Sequence, residues 1–140
     1  MKRIVPLAAT LALALSACAT TPAAQDMVTV TGEATYRERI ALPPEAVMTV
    51  RIEGVSRADA PAPVLAEERY LAEGSQVPLA FAVEVPRAAL EGAVSTSARV
   101  WIEDVDGRLM WITDTHTPVT PVAGEARIDL GTLVMVRTPG

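Results

Sequence analysis

Apolar and polar residues alternate one by one along most of this chain, and that spacing confines it to β-structure. Successive side chains of a strand point to opposite faces, so a period of two marks a strand with one buried side. Val28 and Val30 alternate with Thr29 and Thr31, and Met48, Val50 and Ile52 with Thr49, Arg51 and Glu53. Val77, Leu79, Phe81, Val83 and Val85 make the longest such face, opposite Pro78, Ala80, Ala82 and Glu84. Ala98, Val100 and Ile102 oppose Arg99, Trp101 and Glu103, while Leu109, Trp111 and Thr113 oppose Met110 and Ile112. Ile128 and Leu130 oppose Arg127 and Asp129, ahead of the apolar run Leu133 to Val136. The stretch from Glu33 to Leu42 alternates less regularly.

The breaks between these runs agree with strands. Asp106-Gly107 lies between two of them, a strong hairpin signal. Leu42-Pro43-Pro44 and Ala60-Pro61-Ala62-Pro63 interrupt the chain after two others. Pro86 to Gly92 has room for one helical turn, with Pro at its start and Gly at its end. Val64 to Leu71 stays open: Glu67, Glu68 and Arg69 favour helix, whereas Tyr70 and the flanking strands favour an edge strand. Short strands with turns roughly every 8–12 residues predict an all-β fold, a sandwich of about seven antiparallel strands spanning residues 27–140.

Residues 1–17 read differently, as a secretory signal peptide. Lys2 and Arg3 are the only charges before Asp26, and Ile4 to Leu15 is apolar but shorter than the ~20 residues a bilayer-spanning helix needs. Leu15-Ser16-Ala17-Cys18 then has the order of a bacterial lipobox. Cleavage is expected between Ala17 and Cys18, with diacylglycerol in thioether linkage on the Cys18 sulfur and an acyl chain on its freed amino group. Cys18 is the only cysteine, which rules out an intramolecular disulfide. Residues 18–26 are small and polar, as in a tether. Ala19, where an acidic residue would favour inner-membrane retention, points to the outer membrane, facing the periplasm.

Of the 12 basic residues, Lys2 and Arg3 precede Cys18; the remaining 10 are all Arg and stand against 17 acidic residues, a formal charge of −7. Nucleic-acid binding needs basic patches that neutralise phosphates, and this balance argues against it.

Several residues carry a family resemblance. Gly32-Glu-Ala-Thr-Tyr-Arg-Glu-Arg-Ile-Ala-Leu-Pro-Pro-Glu-Ala46 leads into Val50-Arg-Ile-Glu-Gly-Val-Ser-Arg-Ala-Asp-Ala-Pro-Ala62. Gly74 to Phe81, Ala98 to Leu109 and Thr113-Asp-Thr115 follow in order. The chain resembles the YbaY-type lipoproteins, grouped with the YscW-type pilot lipoproteins of type III secretion. The resemblance implies an immunoglobulin-like β-sandwich on an outer-membrane lipid anchor. It also implies a non-enzymatic binding or assembly role, because pilot members help a secretin subunit reach and assemble in the outer membrane. The partners expected are the membrane, through the anchor, and an outer-membrane protein such as a secretin-like subunit. No metal or dissociable cofactor is expected.

Other constellations have simpler readings beside the functional ones. His116 is the only histidine, beside Asp114 and Thr115, and reads better as a loop residue than as a catalytic base or ligand, since a triad or a zinc site needs further partners. Asp104-Val-Asp-Gly-Arg108 begins like a calcium loop, but Thr115 stands where the closing Glu belongs, so a hairpin turn fits better. Ser56-Arg57-Ala58-Asp59-Ala60-Pro61 is either a partner-binding loop or a turn built on Ser56, Asp59 and Pro61, the residue types that turns use. Leu42 and Pro43 mark a second candidate loop. Arg39 is equally compatible with a buried fork on a carboxylate and with a solvated face. Counting outward from Asp106-Gly107 pairs Trp101 with Ile112 and Trp111 with Ile102, which sends Trp111 to the core and Trp101 outward. An exposed Trp101 offers a stacking surface for a glycan or small ligand, the second functional reading; a hydrolase built on His116 is the third.

Overall fold

The alternating runs become strands in a computed structural model that describes residues 25–55 and 61–139. The strands are β1 (Met27–Tyr36), β2 (Val47–Gly54), β3 (Val64–Leu71), β4 (Leu79–Pro86), β5 (Thr96–Glu103), β6 (Leu109–Thr113), β7 (Thr117–Pro118) and β8 (Arg127–Arg137). One short helix, α1 (Arg87–Gly92), occupies the place where Pro86 and Gly92 predicted a single turn. The ambiguous segment Val64–Leu71 is strand β3. Its eight residues, set antiparallel against β2, gain ladder hydrogen bonds that a two-turn helix there would forgo.

Burial follows the sequence period. Val28, Val30, Ala34 and Tyr36 of β1 face inward, as do Met48, Val50 and Ile52 of β2 and Phe81, Val83 and Val85 of β4. Ala98, Val100 and Ile102 of β5 join Trp111, Leu133 and Met135 in the same core. The irregular stretch after Glu33 divides at Tyr36: β1 runs unbroken to that residue, and Arg37 to Ile40 are exposed outside the strand. Arg39 is therefore not a buried fork.

In β8 the inward parity changes. Ile128 and Leu130 are half-buried, yet Leu133 and Met135 fill the core. An extra residue in β8 accounts for this: Thr31 of β1 pairs with Asp129, but Glu33 pairs with Thr132. Gly131 takes the bulge at φ 68°, a left-handed conformation that glycine adopts without a Cβ clash, and its N–H donates to Asp129 Oδ1 at 2.9 Å.

The fold is all-β, as expected, but its layout departs from an immunoglobulin-like sandwich of antiparallel neighbours. The hydrogen-bonded order is β3-β2-β5-β6-β8-β1-β4, one continuous sheet, with β7 added on β5. β1 and β8 run parallel. The sheet curls until its two edges, β3 and β4, meet, which leaves a barrel with one seam and a single interior lined from all sides. Right-handed twist accumulated over seven strands brings such edges together.

Candidate partner-binding site

The seam is closed by a side chain instead of a ladder. Tyr70 of β3 donates its hydroxyl to the Ala82 carbonyl at 2.7 Å, and the same oxygen accepts the Ala82 N–H at 3.1 Å. Ala82 thus turns both backbone groups away from β1 and toward β3. By strand alternation Ala80 and Glu84 turn theirs the same way. All three residues are exposed. The β4 edge therefore offers an extended row of backbone groups with a phenol standing in at its middle.

Beside Tyr70 the seam opens into a cleft of ≈ 430 Å³, whose walls include Met48, Leu71, Gln76, Pro78 and Leu79. Gln76 fixes one wall: its Oε1 accepts the Leu42 N–H at 2.7 Å and its Nε2 donates to the Leu42 carbonyl at 3.1 Å. Leu42 itself is 3% exposed and packs in the core. Its sequence context places it on a partner-binding loop; its isobutyl group instead anchors the chain after β1, because burial there outweighs exposure. Pro43 is half-buried and its carbonyl accepts the Ala46 N–H at 3.0 Å, a turn between β1 and β2. Of the second loop, Pro61 is exposed, while Ser56, Arg57 and Asp59 lie outside the described residues. So do Ala17 and Cys18.

The two indoles occupy the faces that the hairpin register assigned. Trp101 pairs with Ile112 and Ile102 with Trp111. The loop is longer than two residues, since Glu103 pairs with Leu109, and a bulge restores the register. Asp104 Oδ1 accepts the N–H groups of Asp106 and Arg108 at 2.9 and 2.8 Å, and Gly107 sits at φ 78°. The Asp104 carboxylate is thereby engaged in forming the turn. Trp111 is 1% exposed and stacks on Tyr36. Burial, with a smaller push from Glu38, raises the Tyr36 phenol above its ordinary value.

Trp101 is half-buried on the outer face. The Arg51 guanidinium lies 4.8 Å from its ring centroid, and Arg51 Nε also meets Glu67 Oε2 at 2.6 Å. Arg51 held in this way covers an indole face that a sugar would need. Arg99 and Glu53 add an adjacent pair at 3.3 Å. His116 is exposed at a loop, and Thr115 donates its hydroxyl to Asp114 rather than orienting the imidazole. Among the described residues no three His, Cys, Asp or Glu side chains are grouped to hold a metal ion.

Neither the Gln76 clamp nor the Ala82 edge has a signal in the sequence. Tyr70 alone carried a hint, as the residue that favoured an edge strand.

The architecture is a nearly closed all-β barrel with one seam, between the edge strands β3 and β4. The chain belongs to the family described as type III secretion system lipoprotein chaperone (YscW), whose model matches residues 25–131. That description is of a chaperone and not of an enzyme. It is similar to the uncharacterized lipoprotein YbaY of Escherichia coli strain K12, with 38% identity over 110 residues, 77% of this chain and 55% of that protein. The chain thus spans only about half the length of that relative. It is also similar to an alternative pilotin from the type II secretion system of Vibrio cholerae, a solved structure. That likeness has 38% identity and a TM-score of 0.70, and covers 81% of this chain and 99% of that one.

Proposed function

We propose that this protein is an outer-membrane lipoprotein, anchored through acylated Cys18 and facing the periplasm, that acts as a pilot-like assembly module. Its partner is an outer-membrane protein, of which a secretin-like subunit is the best-supported kind. The observation that carries this reading is the β4 edge at the seam, where the Tyr70 hydroxyl takes the place of a neighbouring strand at Ala82. An extended segment of a partner can add there as a strand, gaining backbone hydrogen bonds from Ala80 and Glu84 and a side-chain pocket in the adjoining cleft. The family match and the likeness to a pilotin support the same role.

The test is capture from cross-linked envelopes, with Cys18→Ser as the control that removes the anchor. One enriched outer-membrane protein, lost in Cys18→Ser and reduced by Ala80→Pro, is the expected result. Proline at position 80 removes an N–H from the open edge, a place in a sheet that tolerates it. Recovery of no outer-membrane protein by the wild-type chain would overturn the assembly role.

A further inference from the structure

We infer that the end of the barrel from which the N-terminal segment departs is a membrane-docking surface, seated on the lipid bilayer that holds Cys18. This rests on the reading of Cys18 as the lipidated residue. β1 begins at Met27, which pairs with Pro86, so Asp26 lies where β4 ends and α1 begins. It is fixed there: the Asp26 carbonyl accepts the Arg87 N–H at 2.8 Å and its carboxylate meets Arg87 Nε at 2.6 Å.

Three chain segments converge on this same end. The Gly54 N–H donates to the Pro63 carbonyl at 2.9 Å, the Val55 N–H to Ser95 at 2.7 Å and the Val119 N–H to Thr96 at 2.9 Å. The segments 61–66, 92–98 and 117–124 contain no charged residue. From them project Val64, Val94 and Val122, exposed by 52%, 96% and 55%, with Val55 beside them at 44%. Single exposed valines are ordinary, but four project from this one end, three of them from uncharged segments, while the chain after Val55 carries Arg57 and Asp59. The described charges nearby are the Asp26–Arg87 pair and the exposed Glu91, Glu125 and Arg127. The opposite end is more heavily charged: beside the exposed Ile40, Leu71 and Val105 its loops carry Arg37-Glu38-Arg39, Glu45, Glu73 and the charged turn Asp104 to Arg108.

The tether selects lipid as the occupant. The eight residues from Ala19 to Asp26 reach at most about 28 Å and join the barrel at its valine end, so the anchor draws that end toward the bilayer. Apolar tips gain by entering the boundary between headgroups and acyl chains, while the more heavily charged end stays in water. The segments 61–66, 92–98 and 117–124 also lack the aromatic and Arg anchors that dominate protein–protein contacts. Seated this way, the barrel turns the cleft beside Leu71 and Gln76 away from the membrane, toward a partner.

The test uses the full lipidated chain reconstituted in vesicles of phosphatidylethanolamine and phosphatidylglycerol that contain a spin-labelled quenching lipid. An environment-sensitive dye is placed on Val94→Cys or, at the opposite end, on Val105→Cys, acylated Cys18 being inert to it. The expected result is quenching roughly threefold or more stronger at position 94, falling to the level of position 105 when Val64→Asp and Val122→Asp are added. Equal or weaker quenching at position 94, with acylated Cys18 confirmed by mass spectrometry, overturns the docking and leaves the anchor intact. Unmodified Cys18 overturns both. Shielding of the position-94 dye by an added envelope protein instead of lipid assigns this end to a protein and overturns the docking as well.

Discussion

Tyr36 and Trp111 lie face to face, their ring centroids 4.1 Å apart and their planes inclined by 7°. They belong to β1 and β6, which are not neighbours: β8 runs between them in the sheet. The stack therefore ties two parts of the barrel wall through the interior. One group in it is unsatisfied, because the buried Trp111 Nε1–H has no hydrogen-bond partner among the described residues. Trp111→Ala is expected to cost about 3–5 kcal/mol in urea unfolding, as large buried aromatic truncations do. Trp111→Phe should cost clearly less, since both variants remove the unpaired donor, itself a penalty of about 1–3 kcal/mol, but Phe keeps an aromatic ring against Tyr36. Equal losses for the two variants would show that the ring stack contributes nothing.

Tyr36 makes stability depend on alkaline pH. Its hydroxyl donates to the Ile40 carbonyl at 2.8 Å, and burial together with Glu38 raises its pKa in the folded state. Above the ordinary phenol value of about 10, the unfolded chain releases this proton while the folded chain retains it. Unfolding then becomes more favourable as pH rises, so the contribution is complete below pH ~10 and is lost toward the raised folded value. Thermal melts from pH 8 to 11 should show a fall in Tm that Tyr36→Phe reduces. A wild-type fall no steeper than that of Tyr36→Phe would contradict this.

Gly32 is a position where no side chain fits. A Cβ there would stand 2.7 Å from Phe81 Cζ and 3.0 Å from the Gly131 carbonyl oxygen. The Phe81 ring can swing slightly, but the carbonyl belongs to the β8 bulge and cannot. Gly32→Ala should destabilise the domain by about 1–3 kcal/mol, the usual cost of overpacking, measured by denaturant midpoint. Gly92→Ala serves as the comparison and should cost markedly less, because an added methyl there would have nothing within 4 Å.

What the sequence disclosed was local. Period two named the inward residues of β2, β4 and β5 correctly, and the Asp106-Gly107 signal was enough to put Trp111 inside and Trp101 outside. The parity change in β8 needed the Gly131 bulge, and an isolated Gly in an alternating run was its only trace. The pairing of β1 with β8 joins the two ends of the domain and has no local signature, so the parallel contact and the single curled sheet were hidden. Leu42 was misplaced for a related reason. A Leu-Pro-Pro stretch looks like a loop, and it is one, but the Gln76 side chain that pulls it onto the core comes from 34 residues away.

Tyr70 provides the most direct test of the seam. Its hydroxyl serves as both donor and acceptor for Ala82, so Tyr70→Phe removes two hydrogen bonds and uncovers the β4 edge. Each is a surface-edge bond, and the expected change in global stability is small, about 0.5–1.5 kcal/mol. Locally the effect should be larger: hydrogen exchange at the Ala82 amide should accelerate well beyond that of the β1-facing amides of Phe81 and Val83, which the ladder protects. If a partner segment adds at this edge, it must displace the phenol, so Tyr70→Phe should strengthen partner capture while Ala80→Pro weakens it. Capture that weakens in Tyr70→Phe and is unchanged in Ala80→Pro would place the partner elsewhere on the barrel and leave Tyr70 as a strut that closes the seam.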